Sequence, residues 1–477
     1  MKRLAEKILL IGWDAADWEI IRPLIAAGQM PHLARLIREG AAGELASLEP
    51  MLSPMLWTSI ATGKRPHKHG IHGFTEPRPD GRGIRAIAST SRTTKALWNI
   101  LTQRGWRTHN LCWYASHPAE PVNGVSVSNE FSVAPPLGAP WPQSAESVYP
   151  SEIRDVLAAL RLRPEEVRAQ DLQSFIPAAD RIDQSRDDHL LKCAVILAET
   201  ATTHAAATWA MEHRPWEFVA VLYDAIDHFS HVFMEFHPPQ QAHVSDEDFE
   251  IYRHVITTCY QFHDLMLGRL LELAGDDATV ILLSDHGFRS GETRLPHTAK
   301  TLEGLAQCHR PQGVCVLHGP PIRSGVRLDG VSLLDVAPTV LALCGLPLGR
   351  DMDGRPWLEA IAAEVEPEFI ASWDEVAGSA GQHPEEMRQQ PTDSLQAVRH
   401  LIELGYITAP GSDVRQAIDA CLETNQFNLA RAYLDAGLRH QAQTILEQLV
   451  DRRPEHLDYR QALAGSCDAG RPTANGT

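Results

Sequence analysis

Carboxylate and imidazole side chains follow several apolar stretches of this sequence, at the points where the stretches end. Carboxylate oxygens and imidazole nitrogens are side-chain ligands by which proteins hold Zn²⁺. In an open α/β sheet, ligands bind at the edge formed by the carboxyl ends of the strands. We therefore expect these side chains to converge on divalent cations. The candidates are Asp14, Asp227, His231, Asp285 and His286.

The spacing within these motifs limits how each could hold an ion. Asp227 and His231 are four residues apart, so both lie on one face of a helical turn. Asp224 and His228 have the same spacing, and spacing alone leaves the register open. The adjacent pair Asp285–His286 stands at a predicted strand-to-loop break, where the two side chains can flank two ions.

A later histidine would complete a second set of three ligands. Three positions qualify, and the local sequence does not choose between them. They are His297, His309 and His318.

Ser53 is the candidate nucleophile because a proline follows it. Pro54 suits the first position of a helix, which predicts Ser53 at the N-cap. Free backbone N–H groups and the helix dipole favour developing negative charge at that point, so a serine alkoxide can act there as a nucleophile. Thr58 is the rival, but it falls inside the predicted helix, where its hydroxyl is expected to bond back to a carbonyl.

Apolar runs predict the buried strands that position these side chains. Helical stretches lie between several of the runs, including one at about 18–39 and one from about 187 to 213. The alternation predicts an α/β fold with a mostly parallel sheet flanked by helices. The runs are Ile8–Gly12, Thr108–Tyr114, Phe218–Tyr223, Thr279–Ser284 and Val314–Leu317.

The chain divides into three predicted parts. Residues 1–375 form a catalytic domain, in which about 131–188 break the strand–helix rhythm and are predicted to be an inserted lid. Residues 376–393 form a linker, and residues 394–477 form a helical tail. Within the tail, Phe427–Pro454 resembles one tetratricopeptide repeat. An amphipathic helical hairpin packed on the main domain is the alternative.

Composition and charge indicate which partners the protein can have and in which compartment it is expected. The net charge is −18 with no basic stripe, which argues against nucleic acid as a main partner. The apolar run near the N-terminus is too short for a membrane span or a signal-peptide core. The eight cysteines are scattered without a CxxC pair, which favours reduced thiols. We therefore expect a cytoplasmic protein without a membrane span.

The order of the motifs resembles the alkaline phosphatase superfamily, and most closely its type I phosphodiesterase/nucleotide pyrophosphatase family. The resemblance covers about residues 7–406, except for most of the insertion, and implies an alkaline-phosphatase-like fold. It is carried by Asp14, Ser53 to Gly63, His69–Gly70–Ile71, Ile226 to Phe233, Ser284 to Gly287, Leu334 to Thr339, Cys344 to Pro347, Asp351 to Gly354, and Leu404–Gly405–Tyr406.

The resemblance implies a site with two divalent ions, expected to be zinc, and assigns roles to the candidates. One ion would be held by Asp14, Asp285, His286 and the oxygen of Ser53, which is the implied nucleophile. The other would be held by Asp227, His231 and a late histidine, for which His309 is preferred. Thr58 then becomes structural. The ligands are Asp14, Ser53, Asp227, His231, Asp285, His286 and His309.

The implied activity is hydrolysis of small-molecule phosphate esters through a phosphoseryl intermediate. Nucleotide pyrophosphatases usually carry an Asn just after His-Gly-Ile, whereas this chain has His72–Gly73–Phe74. The sulfatase pattern, with an Arg four residues after the nucleophile, is also absent. The alternatives are a phosphomonoesterase, a phosphonate hydrolase or a phosphotransferase of the same superfamily. An inactive scaffold that binds a protein partner through the tail is a further alternative.

Overall fold

The computed structural model describes residues 1–141, 144, 146–295, 301–388, 395–407, 409 and 413–468. Within these residues, most of the strands belong to one large sheet, and three short ladders lie outside it. In chain order the strands are β1 (Lys7–Trp13), β2 (Ala41–Ala46), β3 (Thr75–Pro77), β4 (Ile84–Ala86), β5 (Thr108–Leu111), β6 (Gly124–Val127), β7 (Val148–Tyr149), β8 (Phe218–Tyr223), β9 (Ala278–Leu283), β10 (Gly287–Phe288), β11 (His309–Arg310), β12 (Gln312–His318), β13 (Val326–Ser332), β14 (Leu348–Gly349) and β15 (Phe369–Ile370).

Helices cover both faces of the sheet and make up the C-terminal region. In chain order they are α1 (Trp18–Ala26), α2 (Pro31–Glu39), α3 (Ser53–Thr62), α4 (Pro66–His69), α5 (Leu97–Gln103), α6 (Arg154–Ala158), α7 (Ala169–Phe175), α8 (His189–His213), α9 (Ala225–Phe233), α10 (Asp246–Tyr252), α11 (Val255–Ala274), α12 (Leu302–Gln307), α13 (Val336–Leu343), α14 (Glu385–Arg388), α15 (Leu395–Glu403), α16 (Val414–Asp435), α17 (Arg439–Arg452) and α18 (Leu457–Asp468).

The large sheet has the strand order β13-β2-β12-β9-β1-β8-β5-β6-β7. Its central strand β1 pairs in parallel with β8 on one side and with β9 on the other. Among the described strands of this sheet, β12 and β7 run against the rest. The predicted α/β fold with a mostly parallel sheet flanked by helices is therefore confirmed.

Two hydrophobic cores lie on opposite faces of this sheet. Alternate residues of a strand point to opposite faces, and the two sides of β1 accordingly belong to different cores. Leu9 and Ile11 pack in the core that includes residues of α8 and α11. Ile8 and Leu10 pack in the core that includes residues of α3, α5 and α13. Burial on both faces explains why the central strands are continuous apolar runs.

Two predicted helices differ from the observed ones. The helical stretch predicted near 18–39 is two helices, α1 and α2, with Gly28 between them at a φ of +70°, a value that glycine adopts without strain. The helix that carries Ser53 begins at Ser53 itself, with Leu52 at the N-cap, one residue earlier than predicted. Pro54 is therefore at the second helical position, which still requires no intrahelical N–H bond.

The C-terminal helices pack on the body that carries the sheet. The Asn425 amide donates to the carbonyl of Thr75 at 2.8 Å, and the Asn428 amide donates to that of His72 at 3.0 Å. Tyr433 stacks on His67 with a centroid distance of 5.1 Å. These contacts hold α16 beside β3 and α4.

The last helices pack against one another. Ala430 of α16 and Ala442 and Leu446 of α17 are fully buried in one small core. The turn between these two helices contains Gly437 at a φ of +71°. This arrangement is a helical hairpin, and its assignment as a tetratricopeptide repeat stays a prediction, as do the predicted domain boundaries.

No helix among the described residues is long and apolar enough to cross a membrane.

Candidate active site

Three neighbouring parallel strands bring the candidate carboxylates together. β9, β1 and β8 are adjacent in the sheet and point the same way, so their carboxyl ends meet at one edge. Asp285 follows β9, Asp14 follows β1, and Asp227 lies in the first turn of α9, just after β8. All three are almost completely buried. The predicted convergence at this edge is therefore present in the structure.

The first group of side chains surrounds Asp14. The Ser53 hydroxyl donates to Asp14 Oδ1 at 3.4 Å, and His286 Nε2 lies 3.4 Å from the same oxygen. His286 Nε2 is also 3.6 Å from Asp285 Oδ2. The backbone N–H of Ala15 donates to the other oxygen of Asp285 at 3.5 Å. These are the four side chains that the resemblance assigns to one ion.

The second group surrounds Asp227. Asp227 Oδ1 lies 3.3 Å from His231 Nε2 and 3.4 Å from His309 Nε2. The two imidazole nitrogens are 3.2 Å apart. His309 Nδ1 lies 3.2 Å from the carbonyl oxygen of Met51, which orients Nε2 towards the group. A ring nitrogen held by a carbonyl in this way leaves the other nitrogen available to a metal.

The structure distinguishes two of the three late histidines, His309 and His318. His309 stands on β11 within the second group, whereas His318 is at the end of β12 and pairs with Glu39, Nε2 to Oε2, at 3.8 Å. His297 lies outside the described residues. Of the two histidines that can be compared, His309 alone lies beside Asp227 and His231.

The two groups form one continuous cluster. The rings of His286 and His309 stack with a centroid distance of 3.8 Å and an interplanar angle of 17°. Ligand atoms of Asp14, Asp285 and His286 lie within 4.8 Å of one another, and so do those of Asp227, His286 and His309. His286 thus connects the group around Asp14 to the group around Asp227.

Burial and mutual repulsion perturb the charges of this cluster. Burial and the neighbouring carboxylates of Asp285 and Asp227 raise the pKa of Asp14 well above its usual range. Burial and Asp227 do the same to the pKa of Asp285. Burial also raises the pKa of Asp227, but His231 and His309 outweigh it and hold the value well below normal. Burial and His309 lower the pKa of His286.

The cluster fits divalent cations. Asp227 Oδ1, Asp285 Oδ2 and His286 Nε2 are buried and make no hydrogen bond among the described residues. A buried polar atom without a partner carries a large desolvation cost. A cation would satisfy these atoms and relieve the repulsion between the three carboxylates. Three carboxylates with three imidazoles are also a donor set that suits zinc.

Ser53 stands in the first turn of α3, and its environment separates it from Thr58. Ser53 is 3% exposed and its hydroxyl faces Asp14. The Thr58 hydroxyl donates to the carbonyl of Pro54 at 2.7 Å, within the same helix. Trp57 is also on α3, and its indole N–H donates to Asp14 Oδ2 at 3.0 Å. The helix thus delivers both a hydroxyl and a hydrogen-bond donor to one carboxylate.

Three residues that support the cluster are not among the candidates predicted from the sequence. Trp57 orients Asp14, and Tyr406 donates from its hydroxyl to Asp227 Oδ2 at 2.5 Å. Asp17 accepts from Arg310 at 2.8 and 3.0 Å and from the backbone N–H of Phe288 at 3.0 Å, which ties down the ladder that carries His309. Trp57 and Tyr406 both fall within family-like segments, whereas no motif in the sequence marks Asp17.

Other family-like motifs belong to the scaffold. His69 is fully buried, with Nε2 3.0 Å from the Ser59 hydroxyl, and its Nδ1 accepts from the N–H of Ile71 at 3.2 Å. Asp335 accepts from the backbone of Ser332 at 2.9 Å and of Arg355 at 2.8 Å. These bonds fix loops around the sheet edge and place no further side chain in the cluster.

The cluster predicts that cation binding strengthens with pH. Burial lowers the pKa of His231, but Asp227 outweighs it and raises the pKa to about 9 in the metal-free protein. Below that pH a cation must displace the proton from His231. Each displaced proton makes affinity rise by up to about tenfold per pH unit. We expect the zinc dissociation constant, measured by competition with a chromophoric chelator, to fall steadily from pH 6 to pH 8. A constant value after correction for the chelator would contradict this.

Tyr406 predicts a measurable contribution from the tail to cation binding. Tyr406→Phe keeps the ring that stacks on Phe74 at a centroid distance of 4.5 Å, but removes the hydroxyl bonded to Asp227. Loss of such an outer hydrogen bond typically weakens metal binding by about 10- to 100-fold. The measurement is zinc affinity by chelator competition. Tyr433→Phe, a phenol on α16 that stacks on His67, is the matched control. Equal affinities for the two variants would refute the role of Tyr406.

Comparisons with known proteins identify the family of this chain. The profile of the family described as Type I phosphodiesterase / nucleotide pyrophosphatase matches residues 8–335. A 2,3-bisphosphoglycerate-independent phosphoglycerate mutase of Cereibacter sphaeroides is 37% identical over 102 residues, which are 20% of this chain and 18% of the mutase. A choline-sulfatase of Rhizobium meliloti is 28% identical over 156 residues, which are 32% of this chain and 29% of that protein. The chain thus spans less than a third of the length of either relative.

Among solved structures, human ectonucleotide pyrophosphatase/phosphodiesterase 5 has a TM-score of 0.42 and 11% identity. The alignment covers 75% of this chain and 100% of the human chain. At this TM-score the similarity supports no conclusion about function. The family profile, by contrast, spans well over half of the chain and contains every side chain of the cluster from Asp14 to His309. This protein is therefore a member of the type I phosphodiesterase/nucleotide pyrophosphatase family.

Proposed function

We propose that this chain is a phosphoric ester hydrolase of the phosphodiesterase type that acts through Ser53. The observation that carries the proposal is the position of the Ser53 hydroxyl, 3.4 Å from Asp14 Oδ1 at the edge of the buried cluster. A serine hydroxyl beside three carboxylates and three imidazoles is in an environment that can activate it as a nucleophile. The substrate is a small-molecule phosphate ester.

Two divalent cations are the proposed cofactors, and zinc is the proposed metal. Asp14, Asp285, His286 and Ser53 would hold one, and Asp227, His231 and His309 would hold the other. When bound, the ions would supply positive charge that lowers the pKa of the serine hydroxyl and stabilises the phosphoryl oxygens. The unpartnered oxygens of Asp227 and Asp285 support this assignment.

The residues of the chain supply the nucleophile and its orientation. Asp14 accepts from the Ser53 hydroxyl and so aims its oxygen, while Trp57 fixes the other oxygen of Asp14. The Ser53 oxygen attacks phosphorus in line, and the bond from phosphorus to the leaving alcohol breaks. Backbone N–H groups in the first turn of α3 favour the negative charge that develops there. Water then cleaves the phosphoseryl ester and restores the hydroxyl.

The alternatives within the superfamily differ in substrate. In the segment where nucleotide pyrophosphatases carry an Asn, Phe74 of this chain stacks on Tyr406. The substrate's phosphate oxygen therefore lacks the hydrogen-bond donor that the Asn side chain would supply. Phosphomonoesterase, phosphonate hydrolase and phosphotransferase activity are accordingly the alternatives. The two relatives are named as a mutase and a sulfatase, which shows how varied the chemistry of similar segments is. An inactive scaffold remains the alternative from another class.

Metal content and paired substrates test the proposal. About two zinc ions per purified chain, with hydrolysis of bis-p-nitrophenyl phosphate faster than that of p-nitrophenyl phosphate, are the expected results. The reverse order of rates would favour a phosphomonoesterase. Absence of both metal and turnover would favour the scaffold.

We also propose a cytoplasmic location. All eight cysteines are free thiols, and seven of them are wholly or partly buried. Free thiols in a chain of this length are typical of reducing compartments. A protein partner could dock on the C-terminal helices, and nucleic acid is not proposed as a partner of this acidic chain.

A further inference from the structure

A pocket with several polar residues in its wall lies beside the cluster, and it has no role in the proposed attack by Ser53. It has a volume of about 60 Å³. On the same scale a single water molecule needs about 10–15 Å³, so the pocket takes a few waters or one small group. Its polar lining includes Glu199 of α8, Asp224 just after β8, His228 of α9, and His400 of α15.

The pocket adjoins the proposed nucleophile and the cluster. Pro54, the residue after Ser53, lines its wall. The ring of Tyr406 lies between the two sites, 6.3 Å from the ring of His231 in the cluster and 6.5 Å from the ring of His228 in the pocket. A phosphate ester with its phosphorus at Ser53 could therefore reach the pocket with a short substituent.

The polar groups of the pocket point to a ligand. His228 is 3% exposed, and its Nε2 has no hydrogen-bond partner among the described residues. Its Nδ1 lies 3.9 Å from Asp224 Oδ1. Glu199 Oε1 accepts from the backbone N–H of Ala134 at 2.8 Å and lies 4.0 Å from His400 Nδ1. A buried imidazole nitrogen left without a partner is costly unless a ligand or water satisfies it.

The charged residues that line the pocket favour a cationic ligand over an anionic one. Glu199, Asp224 and Glu130 contribute carboxyl groups, and no Lys or Arg lies among the described lining residues. A second phosphate or a carboxylate would meet these groups with like charge. An ammonium group would meet opposite charge and could also donate to His228 Nε2. Tyr114 and Phe74 add aromatic rings to the wall, which favour a cation further.

We propose that this pocket binds an ammonium group carried by an alcohol that is esterified to the phosphate. The inference rests on the proposed function and names the substrate class for it: an amino-alcohol phosphate ester rather than a nucleotide. Burial raises the pKa of Glu199 to about 8, and an ammonium group bound beside it would favour the ionised carboxylate.

The test compares 2-aminoethyl 4-nitrophenyl phosphate with ethyl 4-nitrophenyl phosphate. Both esters release 4-nitrophenol, and they differ in the ammonium group. We expect kcat/KM for the aminoethyl ester to exceed that for the ethyl ester by at least about tenfold, which corresponds to about 1.4 kcal/mol. In Glu199→Gln this ratio should fall below about threefold. Glu212→Gln, on the same helix but at the surface beside Arg269, should keep the wild-type ratio.

Inhibition of the wild-type enzyme gives a second readout that needs no variant. Ethanolamine should inhibit hydrolysis of the ethyl ester competitively, and propionate at the same concentration should not. A ratio near one together with hydrolysis of both esters would overturn the pocket and leave the proposed function standing. Failure to release 4-nitrophenol from either ester would overturn the proposed function, and this inference with it.

Discussion

Replacing Ser53 with alanine is expected to lower kcat by about 10³-fold or more while leaving the bound metal in place. The hydroxyl is the proposed nucleophile, so its removal abolishes the covalent route. Three carboxylates and three imidazoles remain to hold the ions. The measurements are turnover of bis-p-nitrophenyl phosphate, metal content, and the thermal midpoint of unfolding.

Thr58→Val is the matched control for Ser53→Ala. It removes a hydroxyl from the same helix, one that bonds to the carbonyl of Pro54 and not to the cluster. We expect its turnover to stay within a few-fold of wild type. If Thr58→Val were the inactive variant and Ser53→Ala retained full turnover, the assignment of the nucleophile would be wrong.

Asp285→Asn is expected to lose bound metal and, with it, turnover. Asp285 is fully buried, and its Oδ2 lacks a partner among the described residues, so a neutral amide in its place removes a ligand charge. Metal analysis after desalting measures the loss. Asp276→Asn, at an exposed position just before β9, is the control and should keep the wild-type metal content.

In the metal-free protein, Asp285→Asn should leave the stability of the fold unchanged or increase it. Burial and Asp227 raise the pKa of Asp285, so ionising this carboxyl at neutral pH destabilises the folded state. That cost is absent well below the unfolded pKa and grows as the pH rises. Removing the carboxyl relieves it, so metal-free Asp285→Asn should unfold at a temperature equal to or above that of the metal-free wild type. A variant that retained zinc would contradict the ligand assignment. A metal-free variant that unfolded far earlier would contradict the predicted cost of ionising Asp285.

The fold was predictable because its central strands are marked in the sequence by continuous apolar runs. β8 matches the predicted run Phe218–Tyr223, and β1 and β9 differ from theirs by one residue at each end. Strands buried on both faces are continuous apolar runs and stand out from their surroundings. β2 and β13 lie towards one edge of the sheet and contain glycine and charged residues, so no apolar run marked them.

The candidate site was predictable where strand ends determine it. Asp14, Asp227 and Asp285 follow adjacent parallel strands, and sheet topology alone brings them together. The choice of His309 over His318 depended on the pairing of β11 with β10, which sets His309 opposite Phe288, and spacing could not predict that pairing. Tyr406 reaches Asp227 from a segment 179 positions away in the sequence, a contact that only tertiary packing creates.

The hydrogen bond from Tyr406 to Asp227 also sets an order of events during synthesis. Translation proceeds from the N-terminus, so every acidic and imidazole member of the cluster leaves the ribosome before Tyr406 does. The phenol that completes the surroundings of Asp227 therefore arrives last, and the helix that follows it must settle beside β3 and α4. A nascent chain halted before this point would carry all the ligands but lack the final contact that holds one of them.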